Sequence, residues 1–256
     1  MKIKIVSWNV NGIRAMQKKG LLDYLKTENP DIFCVQETKA SPEQLDDSLT
    51  SPDGYHVLYH SCSRKKGYSG VATFSKVPPV TCSTGFGIDL HDIEGRVVQT
   101  DYEHFTLLNV YFPNGNMPGR LEYKLEFYKE FFEYCQKLRT NGKKLVICGD
   151  YNIAHKEIDL AKPKENKDVS GFLPVEREWL DKLVTLGYID TFRMFNNEPN
   201  NYTWWSMKTR ARDRNVGWRI DYHFVTEDLK DNVKAAEIRS DTIGSDHCPV
   251  TLELEF

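Results

Sequence analysis

The chain has 256 residues, 40% of them hydrophobic and 28% charged, and a net charge of −3. That is the composition of an ordinary globular protein long enough to bury a sizeable core. No apolar stretch approaches the roughly 20 residues of a membrane span, and a mildly acidic total argues against a general nucleic-acid binder held by bulk charge.

From the start, Met1-Lys2-Ile3-Lys4-Ile5-Val6 passes straight into alternating apolar residues, without the longer apolar core of a signal peptide. Ile3–Val10 reads as a strand whose end places Asn9 and Asn11 on one face. A short helix is expected over Leu21–Thr27, then a strand over Asp31–Gln36 running into Glu37-Thr38-Lys39. Strands over Tyr55–Tyr59, Gly70–Ser75, Arg96–Tyr102 and Phe105–Phe112 follow, the last leading into Pro113-Asn114-Gly115. Arg120–Leu138 carries the strongest helical pattern, with Leu121, Leu125, Tyr128, Phe132, Cys135 and Leu138 mostly three or four apart.

The buried-strand run Leu145–Cys148 then stops at Gly149-Asp150-Tyr151-Asn152. Strand alternation puts Asp150 and Asn152 on one face, with Tyr151 opposite. These are also ordinary turn residues, so taken alone the stretch permits either a polar site or a plain strand end. Val175–Leu186 reads as a helix, begun by Pro174 and stopped by Gly187. Between positions 208 and 219, Lys208, Arg210, Arg212, Arg214 and Arg219 face one Asp213, a local +4 that leaves −7 on the rest. Beside Trp204, Trp205 and Trp218, this segment fits either a phosphate-tracking surface with stacking platforms or a solvated loop. Strands over Arg219–Thr226, Ala235–Arg239 and Val250–Phe256 complete the pattern, the last preceded by Ser245-Asp246-His247-Cys248-Pro249.

Many strands with few helices predict sheets covered by helices, an α/β or α+β sandwich in one domain over 1–256. The six cysteines are scattered with no C-x-x-C pair, the pattern of reduced thiols in a cytoplasmic protein. Five strand ends carrying Asn, Glu, Tyr, Asp and His are explained together by a polar site at the rim of a sandwich. Glu37, Asp150, Asp246 and Asn9 supply hard oxygen donors suited to Mg²⁺ or Mn²⁺. No P-loop, G-x-S-x-G or H-E-x-x-H sequence occurs. A divalent metal, a carboxylate base, an amide and a histidine fit hydrolysis of a phosphate ester.

Six blocks carry a resemblance across almost the whole chain: Trp8-Asn9-Val10-Asn11-Gly12-Ile13-Arg14-Ala15, Val35-Gln36-Glu37-Thr38-Lys39, Gly67-Tyr68-Ser69-Gly70-Val71-Ala72, Gly149-Asp150-Tyr151-Asn152, Gly217-Trp218-Arg219-Ile220-Asp221-Tyr222 and Ser245-Asp246-His247-Cys248-Pro249. In this order they resemble the exonuclease III family of abasic-site (AP) endonucleases. Gln-Glu, Gly-Asp-x-Asn and Ser-Asp-His belong to the wider endonuclease/exonuclease/phosphatase superfamily. Asn-x-Asn-Gly-Ile-Arg-Ala, Ala154–Leu160 and Asn215-Val216-Gly217-Trp218-Arg219 resemble the AP-endonuclease branch specifically.

The resemblance implies a DNase I-like, α+β, four-layered αββα sandwich with its active site at one rim. It implies a Mg²⁺-dependent cut 5′ to an abasic site in double-stranded DNA, with 3′-phosphodiesterase and 3′→5′ exonuclease activity in the same site. Glu37 would be the main metal ligand, helped by Asn9 and Asp246, with Asp150, Asn152 and His247 within reach. Asp150 would deprotonate the attacking water and Asn152 would hold it. His247, paired with Asp221, would donate to a phosphate oxygen, and Tyr111 and Asn114 would touch the scissile phosphate. Trp204, Trp218 and Ile220 would wall the pocket for the turned-out sugar. Arg14, Tyr68 and Asn166 would track the DNA backbone, and the Lys208–Arg214 loop would reach the minor groove. Asn11 stands where some relatives have a metal-proximal Asp, implying a less charged site, and Met117 and Lys208 occupy variable wedge positions. The expected protein is a monomer that binds no membrane. The competing reading is an inositol-phosphate or lipid phosphodiesterase of the same superfamily, which predicts extra substrate loops or a membrane-binding apolar surface.

Overall fold

The computed structural model describes residues 1–256. Its strands run β1 (Lys2–Asn9), β2 (Ile32–Gln36), β3 (His56–His60), β4 (Val71–Ser75), β5 (Thr81–Thr84), β6 (Val97–Asp101) and β7 (Thr106–Tyr111) in the first half. The second half adds β8 (Leu145–Asp150), β9 (Tyr188–Asp190), β10 (Trp204–Trp205), β11 (Gly217–Trp218), β12 (Asp221–Thr226), β13 (Val233–Ile238) and β14 (Val250–Glu255). Three helices matter most: α1 (Leu21–Glu28), α2 (Arg120–Thr140) and α3 (Pro174–Thr185).

Two six-stranded mixed sheets form, in the orders β13-β14-β1-β2-β4-β3 and β5-β6-β7-β8-β12-β9, with β10 and β11 paired separately. Ile5, Ile32 and Cys34 of the first sheet pack against Leu107, Val146 and Cys148 of the second, one buried layer between the sheets. On the outer face of the first sheet, Trp8 and Phe33 pack under Leu21 and Leu25 of α1. Leu108, Ile147 and Tyr151 on the far side of the second sheet pack under Phe127, Phe131 and Leu180 of α2 and α3. The expected αββα layering is present, and β2, β4, β6, β8 and β12 are buried along their whole length, as internal strands require.

Topology delivers the site. β1 and β2 run parallel, with Asn9 opposite Gln36. In the second sheet β7 and β8 run parallel, with Tyr111 opposite Asp150. Parallel neighbours end at the same edge, so both pairs bring their last residues to one rim. β12 begins there, with Asp221 opposite Asp150. Gly149 is needed for this fit, because a Cβ there would lie 1.9 Å from the Val110 carbonyl oxygen and its φ is +135°.

All ten strands expected from sequence are present, with ends displaced by two residues at most. The unexpected strands β5, β9, β10 and β11 are short. β5 is four exposed polar residues held only as an edge by β6, so no apolar period marks it.

Candidate active site

The rim encloses a cavity of about 360 Å³. Its lining includes Glu37, Tyr111, Asn114, Asp150, Asn152, Trp204, Trp218, Ile220, Asp246 and His247, ten of the residues singled out above. Asp221 and Asn9 stand immediately behind it.

The polar half is one hydrogen-bonded assembly. Asn9, fully buried, donates its amide to Glu37 Oε1 at 3.0 Å and to Asp150 Oδ2 at 2.9 Å. Its own Oδ1 accepts from the Asn11 main-chain amide at 3.0 Å. Asn9, expected to help Glu37 hold a metal, turns its amide donor to the site in this structure and spaces the two carboxylates. Asn11 donates to Asp246 Oδ1 at 2.9 Å, and Lys39 donates to Asn11 Oδ1 and pairs with Glu37 Oε2 at 2.7 Å. Burial opposes charge on Glu37, yet Lys39 and Asn9 hold its carboxyl below the usual carboxylate range.

Asp150 and Asn152 meet, but not by strand alternation. β8 stops at Asp150, and Asn152 adopts the left-handed conformation at φ +53°, its main-chain amide donating to Asp150 Oδ1 at 2.8 Å. An Asx turn thus brings the pair together and sends Tyr151 into the core. Asn11, Glu37 and Lys39 share the left-handed conformation. Such backbone is uncommon outside glycine and persists where surrounding structure enforces it. The Asn152 amide donates to the Phe112 carbonyl at 2.9 Å and to Asp150 Oδ2 at 3.3 Å, while its oxygen accepts from Asn114 at 3.0 Å.

His247 bridges two acids, with Nδ1 at 2.9 Å from Asp221 Oδ2 and Nε2 at 3.9 Å from Asp150 Oδ2. Burial works to lower its pKa, but the Asp221 charge and hydrogen bond and the Asp150 charge push it up to about 10. Burial, with Asp221 and Glu37 nearby, pushes Asp150 up to about 7 against the pull of His247. Burial and the Glu37 charge raise the Tyr111 phenol well above its ordinary value.

Glu37, Asp150 and His247 place ligand atoms within 4.8 Å of one another. Two carboxylates and an imidazole this close are a donor set that a divalent cation fits. Asp246 lies outside that trio, its oxygens taken by Asn11 and by Trp204 Nε1 at 3.1 Å. Burial opposes its charge, while His247 and those donors lower its pKa.

The apolar half is walled by Trp204 and Trp218, edge to face at 6.4 Å, with Ile220 and Phe172 packed behind. Of the adjacent tryptophans only Trp204 faces the cavity; Trp205 is core, its indole bonded to Asn215. Val169, Ser170 and Gly171 form a third wall that carries no motif.

Arg14, Tyr68, Asn166 and Lys208 do not line the cavity. Arg14 and Lys208 are exposed, Tyr68 takes a hydrogen bond from buried Arg96, and the Asn166 amide is bound to local carbonyls. The basic segment is thinner than its sequence. Arg219 is buried in ion pairs with Asp159 and Asp190, and Arg212 stacks on Trp205 and donates to three main-chain carbonyls. Lys208, Arg210 and Arg214 remain exposed. All six cysteines are free, and four are buried. No helix is long and apolar enough to cross a membrane.

Residues 6–247 match the Endonuclease/Exonuclease/phosphatase family. The chain is 44% identical over 253 residues to an exodeoxyribonuclease of Bacillus subtilis, covering 98% of each. It is 40% identical over 260 residues to a DNA-(apurinic or apyrimidinic site) endonuclease of Dictyostelium discoideum, covering 100% of this chain and 71% of that one. A Neisseria 3′ phosphatase solved with a product DNA hairpin superposes with a TM-score of 0.91, at 28% identity over 99% of this chain and 100% of that one.

Proposed function

The chain belongs to the endonuclease/exonuclease/phosphatase family, in its exonuclease III branch of DNA-repair nucleases, and on that premise we propose a Mg²⁺-dependent AP endonuclease. Its substrate is double-stranded DNA with an abasic site, cut 5′ to the lesion to leave a 3′-hydroxyl. The same site trims 3′ ends as a phosphodiesterase and 3′→5′ exonuclease. The whole of 1–256 works as one domain, as a monomer in the cytoplasm.

The carrying observation is the adjacency, in one cavity, of the Glu37–Asp150–His247 trio and the Trp204–Trp218–Ile220 wall. Hydrolytic groups beside a small apolar recess suit a nucleotide without a base, whose extrusion unstacks nothing. Asp150, with a pKa near neutrality, takes the proton of the attacking water. Asn152 holds that water against Asp150, exchanging one of its present hydrogen bonds for it. His247, kept protonated and oriented by Asp221, donates from Nε2 to a non-bridging phosphate oxygen. Tyr111 and Asn114, which line the same cavity, hold the phosphate. Glu37, helped by Asn9 and Asp246 and with Asp150, Asn152 and His247 within reach, would hold Mg²⁺ or Mn²⁺, which when bound neutralises charge on the phosphate and its leaving oxygen. Arg14, Tyr68 and Asn166 follow the DNA backbone, and Lys208 enters the minor groove.

A labelled duplex with one abasic analogue tests the reading. With Mg²⁺ a single cut 5′ to the lesion is expected, and none with EDTA or with Asp150→Asn. Cleavage that ignores EDTA, or none with Mg²⁺, would overturn it.

A further inference from the structure

Two charged side chains that this chemistry leaves unused are fully buried beneath the site. Lys124 on α2 and Glu176 on α3 pair at 2.6 Å, Nζ to Oε1, both side chains 0% exposed. Desolvation offsets most of the attraction in such a pair, so net stability is a poor account of it.

Their remaining bonds lead to the cavity. Lys124 Nζ donates to the main-chain oxygen of Asn152 at 2.8 Å. One helical turn on, the Tyr128 hydroxyl donates to the main-chain oxygen of Tyr151. Residues four apart share a helix face, so α2 holds two successive carbonyls of the turn that carries Asp150 and Asn152. Glu176 reaches the opposite way. Its Oε1 accepts from Ser170 Oγ at 2.9 Å, and its Oε2 from the amides of Gly171 and Leu173. Ser170 and Gly171 form the third wall of the cavity. Gly171 sits so close that a Cβ would lie 3.2 Å from both the Asn152 carbonyl oxygen and the Trp218 ring.

We propose that Lys124 and Glu176 are positioning residues for the nuclease reaction, fixing the Asp150–Asn152 turn and the Val169–Gly171 wall as one unit. This inference rests on the function proposed above. Lys124 sets the turn, so its loss reads in kcat; the acceptor oxygens of Glu176 set the wall, so KM for abasic DNA holds as long as an acceptor for Gly171 and Leu173 remains.

Lys124→Met alone leaves Glu176 unpaired and destabilises the fold. Lys124→Met with Glu176→Gln removes both charges and keeps an acceptor for Gly171 and Leu173. This double variant is expected to melt within a few degrees of wild type, hold KM within about threefold, and lose kcat by about tenfold or more. Tyr128→Phe, which introduces no buried charge, should lower kcat by a smaller factor in the same direction. Hydrogen exchange of the 150–154 amides should quicken in both. A folded double variant with wild-type kcat and exchange would overturn the proposal and leave the pair purely structural. Failure of the wild-type enzyme to cut abasic DNA would instead sink the proposed activity, while the exchange measurement still decides the positioning.

Discussion

His247 Nε2 lies 3.9 Å from Asp150 Oδ2, while Nδ1 of the same ring is bound to Asp221. With Asp150 near 7 and His247 near 10, the pair stands as carboxylate and imidazolium between those limits. Asp150 must be ionised to act as base, so kcat/KM should rise with pH through neutrality. His247 must keep its proton to donate, so the rate should fall as pH approaches 10. A bound divalent cation favours the carboxylate, which moves the acid limb lower as Mg²⁺ increases. Asp221→Asn removes the charge that sustains the imidazolium and should bring the alkaline limb down. A pH–rate profile of wild type and variant decides this; an alkaline limb that stays put would take His247 out of the reaction.

Lys39 sits 2.7 Å from Glu37 Oε2, a resident cation on the carboxylate proposed to hold the metal. Attraction to Lys39 must be given up, at least in part, when a divalent ion takes Glu37. Lys39→Met should therefore tighten Mn²⁺ binding severalfold in calorimetry, and Glu37→Gln should weaken it by about tenfold or more, roughly 1.4 kcal/mol. Equal affinity in wild type and Lys39→Met would mean that Lys39 is not in competition with the ion.

The architecture was legible because its strands are apolar, regular and bounded by turn residues. Glu37, Asp150 and His247 were legible because ionisable groups beside the ends of apolar strands are costly unless used. Other features leave no mark on the chain. Asp150 and Asn152 meet through a left-handed turn that strand alternation does not describe. Lys124 and Glu176 look like any charged residues of amphipathic helices, and only tertiary burial distinguishes them. In sequence Arg219 extends the basic run, because its partners, Asp159 and Asp190, lie 60 and 29 residues away. Val169–Gly171 becomes a wall solely through what packs around it.

Gly171 offers a test of that wall. Its φ is +97°, and an added Cβ would press on Asn152 and Trp218. Gly171→Ala should cost about 1–2 kcal/mol of stability from backbone strain and raise KM for abasic DNA as the pocket narrows. Gly187 has a similar φ of +82° but lies against Arg139 and Glu227, with nothing nearer than 3.5 Å. Gly187→Ala should share the stability loss without the KM effect. Equal KM changes in both variants would show that strain, and not pocket shape, is being measured.

The split within the basic segment makes the last prediction. Lys208 and Arg210 are exposed, whereas Arg219 bonds Asp159 at 2.8 Å and Asp190 at 2.6 Å in the interior. Exposed cations on a phosphate backbone act through counterion release, at a slope of roughly 0.9 per phosphate neutralised. Lys208→Ala with Arg210→Ala should thus flatten the dependence of log affinity on log salt by about 2 and leave the melting temperature alone. Arg219→Met takes a guanidinium from buried Asp159, which keeps Arg193, and from half-buried Asp190, a loss of about 3 kcal/mol, and should appear as a lower melting temperature with the salt slope preserved. Binding measured across a salt series beside thermal melts separates the two. If the Lys208/Arg210 variant keeps the wild-type slope, the loop does not lie along DNA, and the three exposed cations are solvated surface.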